Sequence, residues 1–575
     1  MIFTKSPSIS VEPEELQCVC PCKCDLLIQK TKERKITTLH LGTFLLYEVR
    51  KYCPACNAIY RQTKIDNFVA PGSNFGYDIM EYIGRAVWSD LKTVEKIRNE
   101  LAQKNVSISE REIAHLAKKF VTCVIEAFDD QKEEIRTFLH KDGGYFLHFD
   151  STHPNQGSSH LMCAIAEEVS EKVSMVLGSA KLATESIETV TAFLRGIKEK
   201  FGDPLAGISD MLASNLTAFR EVFPAVLLLL CHFHYLRDLG KDLFSYENTR
   251  LNSFLETYDT HKRLKGFIKD CKAKIEADPL LVKYLNWTEN EYQPSLTLPD
   301  IVTAYFMGVW ILNYKQDLHG YGFPFDRAHF SYLQRMKKVW GHLLTHQVKS
   351  TPLKELESFL GCLFGDPSFA KVMASMEQKV QDFDHIRDIM RIAPKMGDKG
   401  LNDDGEECDM ILMEEELKKF LDSPTIKDNK DPSYRKIEKQ MKKYWKMLFA
   451  KPIEVKTANG EIVSMYPQRT NNVMERLFRE FLRNECKRTG SNTLHRRVQA
   501  MVAETPMMRN LNCPEFMKII LKGEKTLGDR FAALTAKRIQ RNMSERDSAE
   551  DRLPRGLQKL IESPRFYKTF YQKAA

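Results

Sequence analysis

A chain of 575 residues is too long for a single hydrophobic core, and 43% hydrophobic against 28% charged residues excludes a largely disordered protein. A net charge of +8 is modest, so recognition of a polyanion would depend on where Lys and Arg cluster. The longest apolar run, Ala225 to Cys231, is far short of the roughly 18 residues that span a bilayer. Met1 to Ser10 has no signal-peptide core, so a cytosolic chain without a membrane is predicted.

The chain opens on cysteine. Cys18, Cys20, Cys22 and Cys24 precede a β-patterned stretch from Leu39 to Val49, and Cys53-Pro54-Ala55-Cys56 follows it. Two knuckles flanking hairpin-like sequence predict a zinc ribbon over residues 1–70, closed by four thiolates around Zn²⁺. Cys53 and Cys56 form a proper C-x-x-C pair. The first pair is written as Cys22 and Cys24, with Cys18 and Cys20 as alternatives.

Helical periodicity begins after Pro71. Tyr77 to Trp88 and Thr93 to Lys104 read as helices, and Ser109 with Glu112 makes a capping box ahead of a third. Residues 71–140 are predicted to form a helix-turn-helix-like module, with Arg111, Lys118 and Lys119 facing DNA.

At Gly143 the pattern turns β-rich. Tyr145 to Asp150 is a nearly continuous apolar run ending on an acid, which predicts a central strand with Asp150 at its carboxyl end. Strands over Ser159–Ala166 and Lys172–Leu177, a helix over Thr184–Lys200, a strand ending at Asp210, a helix over Asn215–Phe223 and a strand over Ala225–Leu230 follow. This order predicts an α/β, ribonuclease H-like core that makes the first and fourth strands neighbours and lets Asp150 approach Asp210. A distant helix opens with Asn471-Asn472-Val473-Met474-Glu475. Two strand-end aspartates and a helical glutamate suit Mg²⁺ or Mn²⁺ bound by hard oxygens, with ions about 3.5–4 Å apart in two-metal phosphodiester chemistry. Each acid also has a local use. Asp150 can start a turn, Asp210 can cap a helix, and Asn472 with Glu475 has capping-box spacing.

Phe149-Asp150-Ser151-Thr152-His153, Ile208-Ser209-Asp210-Met211, Cys231-His232-Phe233-His234 and Thr470 to Arg476 with Arg488-Thr489-Gly490 together resemble the DDE transposases of bacterial insertion sequences, in their Mutator-like group. The resemblance implies Asp150, Asp210 and Glu475 as catalytic and metal-binding acids, and Cys231 and His234 as the C-x-x-H pair. It also implies cleavage of double-stranded DNA at terminal inverted repeats, strand transfer into target DNA, at least a dimer on DNA, and a place at the bacterial nucleoid. Arg476, Arg479, Arg483 and Lys487 follow helical spacing beside Glu475 and are predicted to hold the DNA backbone.

The domain order expected is thus zinc ribbon 1–70, helical module 71–140, first part of the core 141–246, α-helical insertion 247–452, core completion 453–523 and basic helical tail 524–575. A structure-selective nuclease on the same fold, or a non-catalytic DNA-binding derivative of a transposase, are the alternatives. Cleavage without joining, or binding without cleavage, would distinguish them.

Overall fold

The computed structural model describes residues 7–12, 21, 23–62, 64–70, 72–141, 143–152, 160–169, 173–286, 298–392, 409–457, 459–490, 498–499 and 501–534. Among them the chain is a mixed α/β protein that divides into two compact units. The first comprises residues 1–228, 454–465 and 471–575, and the second 229–453 and 466–470.

The first unit starts with β1 (Ser8–Val11), β2 (Leu27–Thr38), β3 (Gly42–Tyr52) and β4 (Ile59–Arg61). β3 is the centre of this sheet, antiparallel to β2 and β4 and parallel to β1. Ile36, Phe44, Leu46, Ile65 and Val69 form its core. Helices α1 (Tyr77–Trp88), α2 (Val94–Gln103), α3 (Glu110–Asp130) and α4 (Lys132–His140) follow. Thr93 and Ser109 cap α2 and α3 by accepting from the amides of Lys96 and Glu112, which satisfies donors that a helix start leaves without partners. Helix α3 is amphipathic only in its first half. From Phe120 to Phe128 every residue is buried, because the chain's later segments pack around it. Phe531 meets Phe120 edge-on at 5.5 Å, and Phe516 lies 6.0 Å from Phe128. Those rings come from helices Pro514–Leu521 and Leu527–Ala533.

The second sheet is built from β5 (Tyr145–Thr152), β6 (His160–Glu168), β7 (Ser174–Leu182), β8 (Ala206–Ser209) and β9 (Leu227–Leu230), in the order β7-β6-β5-β8-β9. β5 runs antiparallel to β6, with Asp150 opposite Cys163, and parallel to β8, with His148 opposite Ile208. The first and fourth strands are therefore neighbours, as the element order predicts. Helix α5 (Ile187–Phe201) lies between β7 and β8, and α6 (Ala213–Val222) between β8 and β9. Gly143 and Gly144 have φ of +112° and +138°, and a Cβ on Gly143 would lie 1.6 Å from Val455, so only glycine turns the chain into β5 at this spacing.

Gly207 has a different reason to be glycine. The Phe219 ring of α6 sits so close over it that a Cβ would come within 2.3 Å, and the same ring stacks on Phe149 of β5 at 5.5 Å. Gly207→Ala is expected to destabilise the fold by about 1–3 kcal/mol through overpacking. A urea midpoint unchanged from wild type would contradict this.

Among the described residues, the outer strand β7 is closed by a side chain rather than by another strand. Asn510 accepts from the Val176 amide at 2.8 Å and donates to the Val176 carbonyl at 2.9 Å, so its amide stands in for a strand neighbour.

The second unit is helical: α7 (His232–Thr257), α8 (Thr260–Glu276), α9 (Asp300–Leu312), α10 (Ala328–Thr345), α11 (Thr351–Phe364), α12 (Pro367–Ile389), α13 (Asp409–Leu421), α14 (Pro424–Lys427) and α15 (Pro432–Leu448). Buried Lys379 of α12 reaches Glu247 of α7 and Asp431, the α15 N-cap, each at 2.8 Å. The chain re-enters the first unit through β10 (Ile453–Lys456), which pairs with β11 (Ile462–Met465), and through α16 (Asn472–Thr489). None of the described helices is long and apolar enough to cross a membrane.

Candidate active site

Three separated segments bring acids to one end of the five-stranded sheet. Asp150 sits near the end of β5, Asp210 follows β8 directly, and Glu475 occupies the first turn of α16. Burial holds the Asp150 carboxyl well above the usual carboxylate range, and the Asp210 carboxylate raises it further, as do Glu185 and Glu475. Asp210, Glu185 and Glu475 thus lie near enough to act on the Asp150 carboxyl. Among the described residues, however, no three His, Cys, Asp or Glu side chains are grouped closely enough to hold a metal ion.

Local bonds orient the acids. Asp150 Oδ1 accepts from the Ser151 amide at 2.8 Å, and Asp210 Oδ1 accepts from the Leu212 amide at 3.1 Å and from Asn215 Nδ2 at 3.0 Å. The local alternatives are corrected: Asp150 lies within β5 rather than at a turn, and the α6 N-cap is Leu212, not Asp210. Glu475 lies 3.8 Å from Arg479 one helical turn on. The capping-box reading of Asn472 is corrected: the α16 N-cap is Asn471, and it makes no side-chain cap.

The Asn471 side chain instead turns towards β5. Its Oδ1 lies 3.1 Å from His148 Nδ1, and its Nδ2 donates to the Phe149 carbonyl at 3.3 Å. Both residues are fully buried. Burial lowers the His148 pKa to about 4, only partly opposed by Asn471, so the ring is neutral at ordinary pH.

Glu185 is the acid that sequence reasoning missed. It accepts from Ser151 Oγ, beside Asp150, and lies 3.3 Å from His160 Nδ1. It belongs to the bend before α5 and lies in no motif. A carboxylate at the same sheet end as Asp150 was the only available signal.

The other predicted site residues are placed as follows. Arg476, Arg479, Arg483 and Lys487 are exposed along α16. Arg111 is exposed, whereas Lys118 and Lys119 are half-buried where α3 enters the core. Cys231 is the buried N-cap of α7, and His234 lies in its first turn beside the Phe233 ring. His153 lies outside the described residues, as do Cys18, Cys20 and Cys22. Cys53 and Cys56 flank the turn after β3, where the Asn57 amide closes on the Cys53 carbonyl at 2.8 Å. Leu27 pairs with Tyr52, so Cys24, just ahead of β2, belongs to the same end of the hairpin.

The second unit holds a cavity of about 370 Å³ lined by Arg327, Arg335 and Arg387. Its guanidiniums are taken up by carboxylates: Arg327 binds Asp384, Arg335 binds Asp317, and Arg387 binds Asp384 and Asp388. They brace the helices instead of presenting open anion contacts.

No protein-family model matches the chain, and no curated protein matches it. Among solved structures, the Drosophila P element transposase strand transfer complex is similar over 80% of this chain and 94% of that one, at 9% identity and a TM-score of 0.29. A likeness of that size fixes neither fold nor function.

Proposed function

We propose that the chain is a DDE-type transposase, a metal-dependent enzyme that cleaves DNA and transfers strands on a ribonuclease H-like core. The observation that carries the reading is that β5, which carries Asp150, pairs with β8, which Asp210 follows, and is bonded through Asn471 to the start of the helix that carries Glu475, more than 300 residues along the chain. A buried carboxyl crowded by other acids gains from a divalent cation, and an all-oxygen donor set suits Mg²⁺ or Mn²⁺. Asp150, Asp210 and Glu475 are the residues that would hold it. Bound there, such ions supply activation of the attacking oxygen and relief of charge on the leaving oxygen. The chain's own part is to orient the acids through the Ser151 and Leu212 amides and Asn215. The exposed α16 stripe of Arg476, Arg479, Arg483 and Lys487 adds phosphate contacts, with double-stranded DNA ends and target as partners and at least a dimer to pair two ends.

The N-terminal hairpin is proposed to hold Zn²⁺ through Cys53 and Cys56 with Cys24 and a further cysteine from Cys18, Cys20 or Cys22. The β2–β3 register supports this, since it draws Cys24 to the hairpin end where Cys53 and Cys56 lie. Metal analysis of the full chain is expected to give one zinc, lost together in Cys53→Ser and Cys56→Ser. A zinc-free wild type would remove the ribbon.

The test of activity is incubation of the full chain with Mg²⁺ or Mn²⁺ and labelled DNA that flanks its own coding sequence. Nicks at inverted repeats followed by joining to a second DNA are expected, and chelation should abolish both. Cleavage without joining would instead indicate a nuclease, and binding without cleavage under both metals would indicate a DNA-binding derivative.

A further inference from the structure

We infer that Asn471 is a positioning residue that assembles the acid set, by tying the helix that carries Glu475 to the strand that carries Asp150. The inference rests on the proposed metal-dependent reading of those acids. The Asn471 backbone carbonyl accepts from the amides of Met474 at 3.0 Å and Glu475 at 3.2 Å, which starts the first turn of α16. Its side chain bonds His148 and the Phe149 carbonyl, the two residues before Asp150. One residue therefore fixes Glu475 through its main chain and the Asp150 strand through its amide.

The hydrogen-bond directions are determined. The Phe149 carbonyl can only accept, so it faces Asn471 Nδ2. Asn471 Oδ1 is then the acceptor, and His148 must carry its proton on Nδ1. Both partners are fully buried, where water cannot replace a lost bond.

This geometry predicts an asymmetric rescue. Asparagine at position 148 can present an N–H near the place of Nδ1, whereas glutamine extends its amide towards the place of Nε2. In the full chain, Asn471→Ala and His148→Ala are each expected to weaken Mn²⁺ binding, read by electron paramagnetic resonance, by about 10–100-fold, as for other residues that orient metal ligands. They should lower kcat while leaving KM for DNA unchanged. His148→Asn should restore most of both, and His148→Gln should not. Urea midpoints of the Asn and Gln variants should match, which separates positioning from general stability. Equal Mn²⁺ affinity in Asn471→Ala and wild type, or equal behaviour of the Asn and Gln variants, would overturn the inference.

A readout free of metal keeps it distinct from the functional proposal. Hydrogen exchange of the peptide from Val473 to Arg479 should quicken in Asn471→Ala and His148→Gln but not in His148→Asn. If wild type binds no Mn²⁺, the metal reading fails, and this exchange pattern alone decides whether the tie exists.

Discussion

Asp150→Asn is expected to abolish metal-dependent DNA cleavage, with a loss of at least about 10³-fold, while the chain remains folded. Removing an ion ligand forfeits several kcal/mol of charge stabilisation at the reacting oxygens, and each 1.36 kcal/mol is a factor of ten. Asp150 is the acid most exposed to this loss, because burial, Asp210, Glu185 and Glu475 all act on its carboxyl. The same crowding gives the substitution an unusual sign for stability. Asparagine keeps the shape and the Oδ1 acceptor for the Ser151 amide, but removes a charge that the folded state disfavours. Without metal, the variant should melt at or above the wild-type temperature. With Mg²⁺ at about 100 times its Kd, wild type should gain about 2.7 kcal/mol, and the variant much less. Calorimetry with and without Mg²⁺, beside the cleavage assay, tests both halves. Persistent cleavage would remove Asp150 from the chemistry, and a sharp fall in melting temperature would assign it a structural role.

The second large effect lies in the helical unit. Lys379→Ala should cost about 3–5 kcal/mol, because it leaves Glu247 buried without its cation. Lys379 is 3% exposed and Glu247 2%, and the pair joins α7 to α12 while Asp431 adds the start of α15. Ser375 Oγ also donates to Glu247 at 2.8 Å, which cannot offset a full charge. The double variant Lys379→Met with Glu247→Gln should recover most of the loss, since no buried charge then lacks its partner at that contact. Urea unfolding of the three chains measures this, and a loss under 1 kcal/mol in Lys379→Ala would show that water reaches the site.

The central strand was legible in the sequence because its signals are local: two glycines, a run of Tyr, Phe and Leu, then an acid. The order of strands and helices around it was legible for the same reason. β7 was not. The pattern suggested an end at Leu177, yet the strand runs to Leu182 through Gly178 and Ser179, held by partners far along the chain. Ser179 Oγ donates to the Ala503 carbonyl at 2.9 Å, and Asn510 clasps Val176. Helix α3 shows the same limit. Its amphipathic start suggested an exposed DNA-facing helix, and nothing local announced that Phe516 and Phe531 would enclose its second half. Asn471 was legible only as part of a helix start. Its bond to His148 spans 323 residues, and the local spacing pointed to a capping box instead. Glu185 was hidden because its neighbours, Ser151 and His160, meet it only once β5, β6 and the bend before α5 are in place.

The separation of Asn471 from His148 also has a meaning in time. A ribosome adding about 5–20 residues per second needs roughly 15–65 s to make the 323 residues between them. During that interval Asp150 and Asp210 have emerged and the helical unit is being made, but Glu475 does not yet exist. On the proposed reading, a chain on which α16 has not yet been made holds two of its three acids and cannot cut DNA. Competence begins only once the α16 segment has been made.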